Sequence, residues 1–280
     1  MLTKIIPGLM VFAILGMACS SQQPTAPIVY SGDESAALNG VNNIESSTMG
    51  TADPAAEGSY RHGHHGSRMF TVRIENVSTD STLHLSNGET APAPNSPGVW
   101  TITRLRNPIF RVGRFDAGHG LEQQAEDGDP TMLASYLEND PRVKASGVFD
   151  TPVGDDSPGP ATPGKAYEFT VMASPGDHLT FSSMFGQSND LFYSTGPVGV
   201  PMFRGPRPRS GNVTHYFTLW DAGTEVNQEP GLGPDQAPRQ SAPNTGESEH
   251  KRILRVHDQY TYPRTDEVIK VTISPVEDPS

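Results

Sequence analysis

The chain has 280 residues, of which 34% are hydrophobic and 19% are charged, and both shares are below those usual for a compact domain. Glycine and proline together make up 28 + 26 = 54 residues, which excludes a helical bundle or coiled coil because both residues break helices. The net charge of −12 gives no general attraction for nucleic acid and suits an attraction for cations. The single cysteine excludes an internal disulfide and a multi-thiolate metal cluster.

Residues 1–18 have the features of an export signal, with a positive start, an apolar centre at residues 9–15 and small residues near the end. The apolar centre is too short to span a bilayer permanently. Small residues in front of Cys19 resemble the bacterial lipobox, in which the signal is cut and the cysteine is lipidated. This resemblance implies an exported lipoprotein of the bacterial cell envelope, anchored through Cys19. Ser20 is compatible with sorting of the lipoprotein to the outer membrane. The alternative is that Cys19 is a buried free thiol.

Residues 19–68 are poor in large apolar side chains and rich in Ser, Ala, Gly, Asn and Pro. Such a segment buries too little surface to offset the entropy lost on ordering, so we predict a flexible tether. The run His62-Gly63-His64-His65 is either a metal-scavenging patch or a polar part of the tether. The second interpretation is favoured because no acidic or thiol partner lies beside it at zinc-site spacing.

Residues 69–276 are predicted to form one β domain, followed by a short tail at residues 277–280. Alternating apolar and polar residues predict half-buried strands at Phe70–Glu75, Tyr167–Val171, Val213–Trp220 and Ile269–Ile273. Weaker strand candidates are Val99–Arg104, Ile109–Arg114, Leu179–Phe185 and Ile253–Val256. Gly, Pro, Asn and Asp mark turns between them. Many strands joined by long loops predict an all-β, antiparallel β-sandwich.

Two short helices are predicted within the loops of this sandwich. The first is Leu121–Glu126, which ends before Gly128. The second is Pro130–Asn139, with Asp129 as N-cap and proline at the first helical position. The apolar stripe of the second helix is typical of core packing.

Two motifs carry a resemblance to a known family. The stretches are Ser188-Asn189-Asp190-Leu191-Phe192 and Leu219-Trp220-Asp221-Ala222-Gly223-Thr224-Glu225. Together they resemble the S-x-D-x-F pattern and the D-A-G-T-acidic pattern of the spondin N-terminal domain, found in F-spondin, mindin and bacterial envelope proteins. Further similar stretches are Phe70–Asn76, Leu121–Gly128 and Pro230–Gln240. The resemblance covers residues 69–275 and implies a sandwich similar to C2 domains, a bound divalent cation, and adhesion or ligand binding without catalysis.

By this resemblance, Asp190, Asp221 and Glu225 are the expected ligands of one Ca²⁺ ion. Glu225 stands where animal members commonly have the shorter aspartate. The residues themselves suit this role, since calcium takes six to eight oxygen ligands and Gly223 permits a tight turn after Asp221. The alternative is that Asp190 and Asp221 are turn residues whose side chains accept hydrogen bonds from backbone amides.

A catalytic role has no positive signal in the sequence. The stretch Gly186-Gln187-Ser188-Asn189-Asp190 lacks the final glycine of a nucleophile elbow. No H-E-x-x-H motif, P-loop or dinucleotide fingerprint is present. His215 is expected on a strand, on the face that it shares with Phe217 and Leu219, and therefore buried.

The sequence therefore predicts an envelope-anchored, calcium-binding adhesion or ligand-binding module that is not an enzyme. Its partner is an unknown protein or carbohydrate. The alternatives are a secreted hydrolase with an unrecognised active site and a purely structural envelope protein. The basic run at residues 204–209 is expected to be an exposed loop, with a patch for an anionic ligand as the other interpretation.

Overall fold

The computed structural model describes residues 66–104 and 106–277, all within the compact unit Tyr60–Ser280. The predicted signal at residues 1–18, the lipidation of Cys19, the tether up to residue 65 with its histidine run, and residues 278–280 lie outside the described residues. Strands account for 36% and helices for 10% of the structure, which confirms an all-β antiparallel sandwich with a few short helices. Within the described part of the chain, no helix is both long and apolar enough to cross a membrane.

The strands vary from long central ones to two-residue pairings. They are β1 Arg68–Asn76, β2 Leu83–His84, β3 Thr90–Ala91, β4 Asn95–Thr103, β5 Val143–Phe149, β6 Ala166–Ala173, β7 His178–Phe185, β8 Leu191–Thr195, β9 Val200–Pro201, β10 Phe203–Arg204, β11 Arg207–Pro208, β12 Gly211–Asn212, β13 Phe217–Asp221, β14 Leu254–Arg255 and β15 Ile269–Pro275. The helices are α1 Leu121–Glu126, α2 Thr131–Glu138 and α3 Thr265–Val268, with a 3₁₀-helix at Thr214–Tyr216.

Two large sheets face each other. The smaller has the strand order β12-β15-β1-β6, and the larger has the order β14-β13-β8-β7-β4-β5, with β9 also paired to β7. In the smaller sheet Val72 lies opposite Ile273 on one side and Phe169 on the other. The alternation that predicted β1 therefore places Phe70, Val72 and Ile74 in the core between the sheets.

A second core lies on the other face of the larger sheet, beneath α1 and α2. Leu121 of α1 and Leu133 and Leu137 of α2 pack there against the sheet. In β8, Leu191 and Tyr193 enter the first core, whereas Phe192 between them enters the second. The middle of the larger sheet is thus buried on both faces, and this holds the turns at its ends in fixed positions.

Most predicted elements are confirmed. Helix α1 has the predicted bounds, and α2 begins and ends one residue inside the predicted helix because Pro130 takes the N-cap position. Asp129 still contributes at that end, since its Oδ1 accepts a hydrogen bond from the amide of Thr131 at 2.9 Å.

The predicted strand Val213–Trp220 is wrong in its first half. The Asn212 side chain accepts a hydrogen bond from the amide of Thr214 at 2.8 Å, and the following residues form the 3₁₀-helix. The strand begins only at Phe217. His215 lies on the 3₁₀-helix and is exposed, so the prediction of a buried histidine on the strand face is also wrong.

The weaker strand predicted at Ile109–Arg114 is wrong as well. Asn107 Oδ1 accepts a hydrogen bond from the amide of Ile109 at 2.9 Å, and the amide of Arg114 donates to the carbonyl of Arg111 at 3.0 Å. The segment is a succession of turns. Its apolar residues Ile109 and Phe110 are buried in the second core, which explains their strand-like hydrophobicity.

Candidate metal centre

Asp190 ends the turn between β7 and β8 and is fully buried. Its Oδ2 atom accepts hydrogen bonds from the backbone amides of Thr224 at 2.8 Å and Glu225 at 3.2 Å. Its own carbonyl accepts one from the amide of Ala222 at 3.2 Å. The motif that contains Asp190 is thus attached directly to the motif that contains Asp221.

Asp221 is the last residue of β13 and pairs with Leu191 of β8. This register brings Asp221 beside the turn that ends in Asp190. Asp221 Oδ1 accepts a hydrogen bond from the amide of Gly223 at 2.7 Å, and its Oδ2 accepts one from Asn227 Nδ2 at 2.8 Å. Gly223 has φ +71°, and a Cβ atom there would lie 2.8 Å from the backbone of Lys251, so the turn requires glycine.

The third carboxylate beside these two aspartates belongs to Glu249. One carboxylate oxygen from each of Asp190, Asp221 and Glu249 lies within 4.8 Å of the other two. Two ligands of one calcium ion are separated by at most about twice the Ca–O distance of ~2.3–2.6 Å. The three oxygens are therefore close enough to share one ion.

Unpaired buried oxygens mark this group as more than a set of turn residues. Asp190 Oδ1 and Glu249 Oε1 have no hydrogen-bond partner among the described residues, although both atoms are buried. A buried carboxylate oxygen without a donor carries a large desolvation cost. A cation held between the three side chains removes that cost, and this donor set of hard oxygens fits calcium.

The charge balance of the group also fits a divalent ion. The nearby cation is Lys251, whose ammonium forms an ion pair with Glu249. Three ionised carboxylates and one ammonium leave 3 − 1 = 2 negative charges. Burial, with the nearby charge of Asp221, raises the pKa of Asp190, and burial also raises the pKa of Asp221. A divalent cation bound here would offset these two negative charges.

Glu225, the third ligand expected from the resemblance, does not belong to this group. Its Oε1 accepts a hydrogen bond from the amide of Gly246 at 2.9 Å, and its Oε2 accepts one from Asn189 Nδ2 at 3.2 Å. Beyond the turn the chain runs extended beside a later segment, with Glu225 paired to Ser248. That pairing directs the Glu225 side chain to other donors and places Glu249 beside Asp221.

Glu126 of α1 lies next to this carboxylate group. Its carboxyl is buried and shares a hydrogen bond with the side chain of Thr224, and burial raises its pKa from 4.5 to about 8. The Oε1 atom has no partner within the described residues. A role for Glu126 could not be predicted from sequence, because a glutamate at the end of a short helix is ordinarily solvated.

Ser188, the residue at the centre of the incomplete nucleophile elbow, has its hydroxyl engaged within the turn. It donates a hydrogen bond to the carbonyl of Phe185 at 2.6 Å and accepts one from the amide of Leu191 at 3.2 Å. These bonds close the turn that presents Asp190. The serine therefore has a structural part in the turn.

Comparisons with protein-family models and with curated protein sequences gave no match to this chain. No protein-family model matches the chain, and no curated protein sequence matches it significantly. Spondin-domain membership stays a prediction from the two motifs.

Proposed function

We propose that this chain is a calcium-binding, non-catalytic module for adhesion or ligand binding, exported and held at the bacterial envelope by a lipid on Cys19. The observation that supports the metal most directly is the buried, unpaired Oδ1 of Asp190 within a group of three carboxylates. A divalent cation at this point stabilises three separate chain segments. Loops fixed in this way on a rigid sandwich present a preorganised surface to a partner.

The three segments come from distant parts of the chain. Asp190 follows β7, Asp221 ends β13, and Glu249 lies shortly before β14. Backbone pairing already joins the last two, since the amide of Glu249 donates to the carbonyl of Thr224 at 2.8 Å and that of Lys251 to Gly223 at 2.9 Å. Metal binding adds a cross-link between these segments and the β7–β8 turn.

Calcium titration followed calorimetrically and by thermal melting tests the metal site. At a calcium concentration one hundred times the dissociation constant, the expected gain in unfolding free energy is about 2.7 kcal/mol. Asp221→Asn keeps the acceptor for the Gly223 amide but removes a ligand charge, so we expect it to lose most of this gain. Magnesium titrated in parallel identifies the preferred ion.

Asp116→Asn is the matched control. Asp116 accepts a hydrogen bond from the amide of Gly118 at 3.0 Å, the same local turn that Asp221 forms with Gly223, but it is outside the carboxylate group. Calcium should stabilise this variant as it does the parent chain. A parent chain that calcium does not stabilise, or equal losses in the two variants, would contradict the proposal.

A further inference from the structure

A groove with a volume of about 520 Å³ lies beside the carboxylate group, with Asp221 in its wall. Three basic side chains, Lys251, Arg252 and Arg255, line it together with the aliphatic residues Val226 and Leu254. Leu254 is 50% exposed and Val226 37% exposed. The groove thus combines positive charge and open apolar surface in a chain whose net charge is −12.

Lys251 is paired with Glu249, but the two arginines of this groove have no acidic partner within the described structure. Arg252 and Arg255 form no ion pair with a described acidic residue. Arg252 is instead held by hydrogen bonding to the carbonyl of Gly113 at 2.9 Å and lies over the Phe115 ring at 4.8 Å. Arg255 lies over Trp220 at 5.9 Å. Both guanidinium groups are positioned before any ligand arrives, which lowers the entropy cost of binding.

Two aspartates also line the groove, and protein donors satisfy both. Asp221 accepts hydrogen bonds from Gly223 and Asn227. Asp258 accepts one from the amide of Tyr260 at 2.8 Å and one from the Tyr262 hydroxyl at 2.7 Å. The arginines therefore remain available for an external anion.

We infer that this groove binds an acidic peptide segment of a partner protein, one in which carboxylate side chains alternate with aliphatic ones. The arginines match the carboxylates in charge and geometry, and Leu254 and Val226 match the aliphatic side chains. A sulfated or uronic polysaccharide fits less well, because it has no aliphatic side chains to cover the exposed Leu254 and Val226. The inference gives a partner class to the ligand-binding role proposed above and rests on it.

The test measures binding of a short fluorescein-labelled peptide that alternates aspartate with leucine, by fluorescence anisotropy with the full chain. We expect Arg252→Gln combined with Arg255→Gln to weaken binding about tenfold. The same peptide with asparagine in place of aspartate should bind at least about tenfold more weakly to the parent chain. Because both arginines are exposed, the double variant should lose little stability and remain fully folded at the assay temperature, which thermal melting checks.

Arg204→Gln combined with Arg207→Gln is the matched control, since it removes equal charge from exposed positions on the β10–β11 hairpin. Peptide binding should change less than about twofold in this control. Equal losses in the two double variants would overturn the inference, and so would equal binding of the aspartate and asparagine peptides. Binding of dextran sulfate that requires Arg252 and Arg255, with no binding of the acidic peptide, would assign the groove to a polysaccharide instead.

Calcium titration of the same double variant separates this inference from the metal proposal. We expect calcium affinity to stay at the parent value while peptide affinity falls. A chain that binds the peptide through the two arginines but does not bind calcium would refute the metal site and keep the groove. A chain that binds calcium but no acidic peptide would refute the groove inference and keep the metal site.

Discussion

Replacement of Asp190 by asparagine should stabilise the metal-free protein at high pH and remove the stabilisation by calcium. The carboxyl of Asp190 is fully buried, and burial with the nearby charge of Asp221 raises its pKa from 3.8 to about 7. The native state therefore binds this proton more tightly than the unfolded state. Without metal, stability falls as the pH rises from about 4 to about 7, because the buried group must then ionise.

The size of this effect follows from the two pKa values. A tenfold change in proton affinity corresponds to about 1.4 kcal/mol, so a pKa of about 7 against 3.8 gives a loss of about 4 kcal/mol by pH 8. Asparagine keeps an oxygen for the amides of Thr224 and Glu225 and carries no charge. In a chelator at pH 8, Asp190→Asn should therefore be more stable than the parent by up to about 4 kcal/mol. At pH 5 the same two pKa values leave the variant a smaller advantage of about 1.6 kcal/mol.

Urea unfolding at pH 5 and pH 8, in chelator and in excess calcium, measures these differences. Calcium should stabilise the parent chain at pH 8 and leave Asp190→Asn unchanged. Asp116→Asn again serves as control and should follow the parent in all four conditions. An asparagine variant that is less stable than the parent in chelator at pH 8, or that calcium stabilises to the same extent, would refute the reasoning.

Three further predictions concern buried polar groups and the turn. Glu126→Gln should raise stability at pH 9 and leave it nearly unchanged at pH 5, since burial raises the Glu126 pKa to about 8. Urea unfolding at both pH values measures the two effects, and equal effects would contradict the prediction. Tyr193→Phe should be neutral or stabilising by about 1 kcal/mol, because its buried hydroxyl has no described partner, whereas Tyr167→Phe should cost about 1–3 kcal/mol because its hydroxyl donates to a carbonyl at 2.6 Å. Equal losses in these two variants, measured by chemical denaturation, would count against this account. Gly223→Ala should weaken calcium binding, since its Cβ atom would lie 2.8 Å from the backbone of Lys251. Gly118→Ala, with a similar φ of +70° and open space around it, should keep the parent calcium affinity. Titration calorimetry measures both affinities.

The strands with the clearest signal in the sequence are those with one buried face, whereas β4 and β7, buried on both faces, gave only weaker candidates. In β1 and β15 every second residue is buried, and this alternation is visible in a single sequence. Strand β8 was not predicted because it is buried on both faces, so its sequence shows no alternation. Strand β5 was missed for the opposite reason, since most of its residues are only half-buried.

The site could be predicted in part for similar reasons. Asp221 ends an apolar strand, Asp190 lies in the short turn after another strand, and the β8–β13 register places the two together. Glu249 has no local signal, because a long-range pairing that sequence spacing does not encode brings it to the site. The prediction of Glu225 assumed that the tight turn at Gly223 continues, but the chain becomes extended immediately after it.

The pairing of residues 221–226 with residues 247–254 has a consequence for how this end of the molecule can be lost. One short stretch carries Glu249 and, a few residues later, Arg252 and Arg255. The carboxylate of the candidate metal site and the arginines of the groove therefore lie on one ribbon, residues 247–255, at the edge of the larger sheet. A protease that cuts this ribbon, or a foreign strand that displaces it, would remove the proposed ion and partner sites together. It would also withdraw Ile253 from the second core, whereas no buried residue of the first core lies in the ribbon.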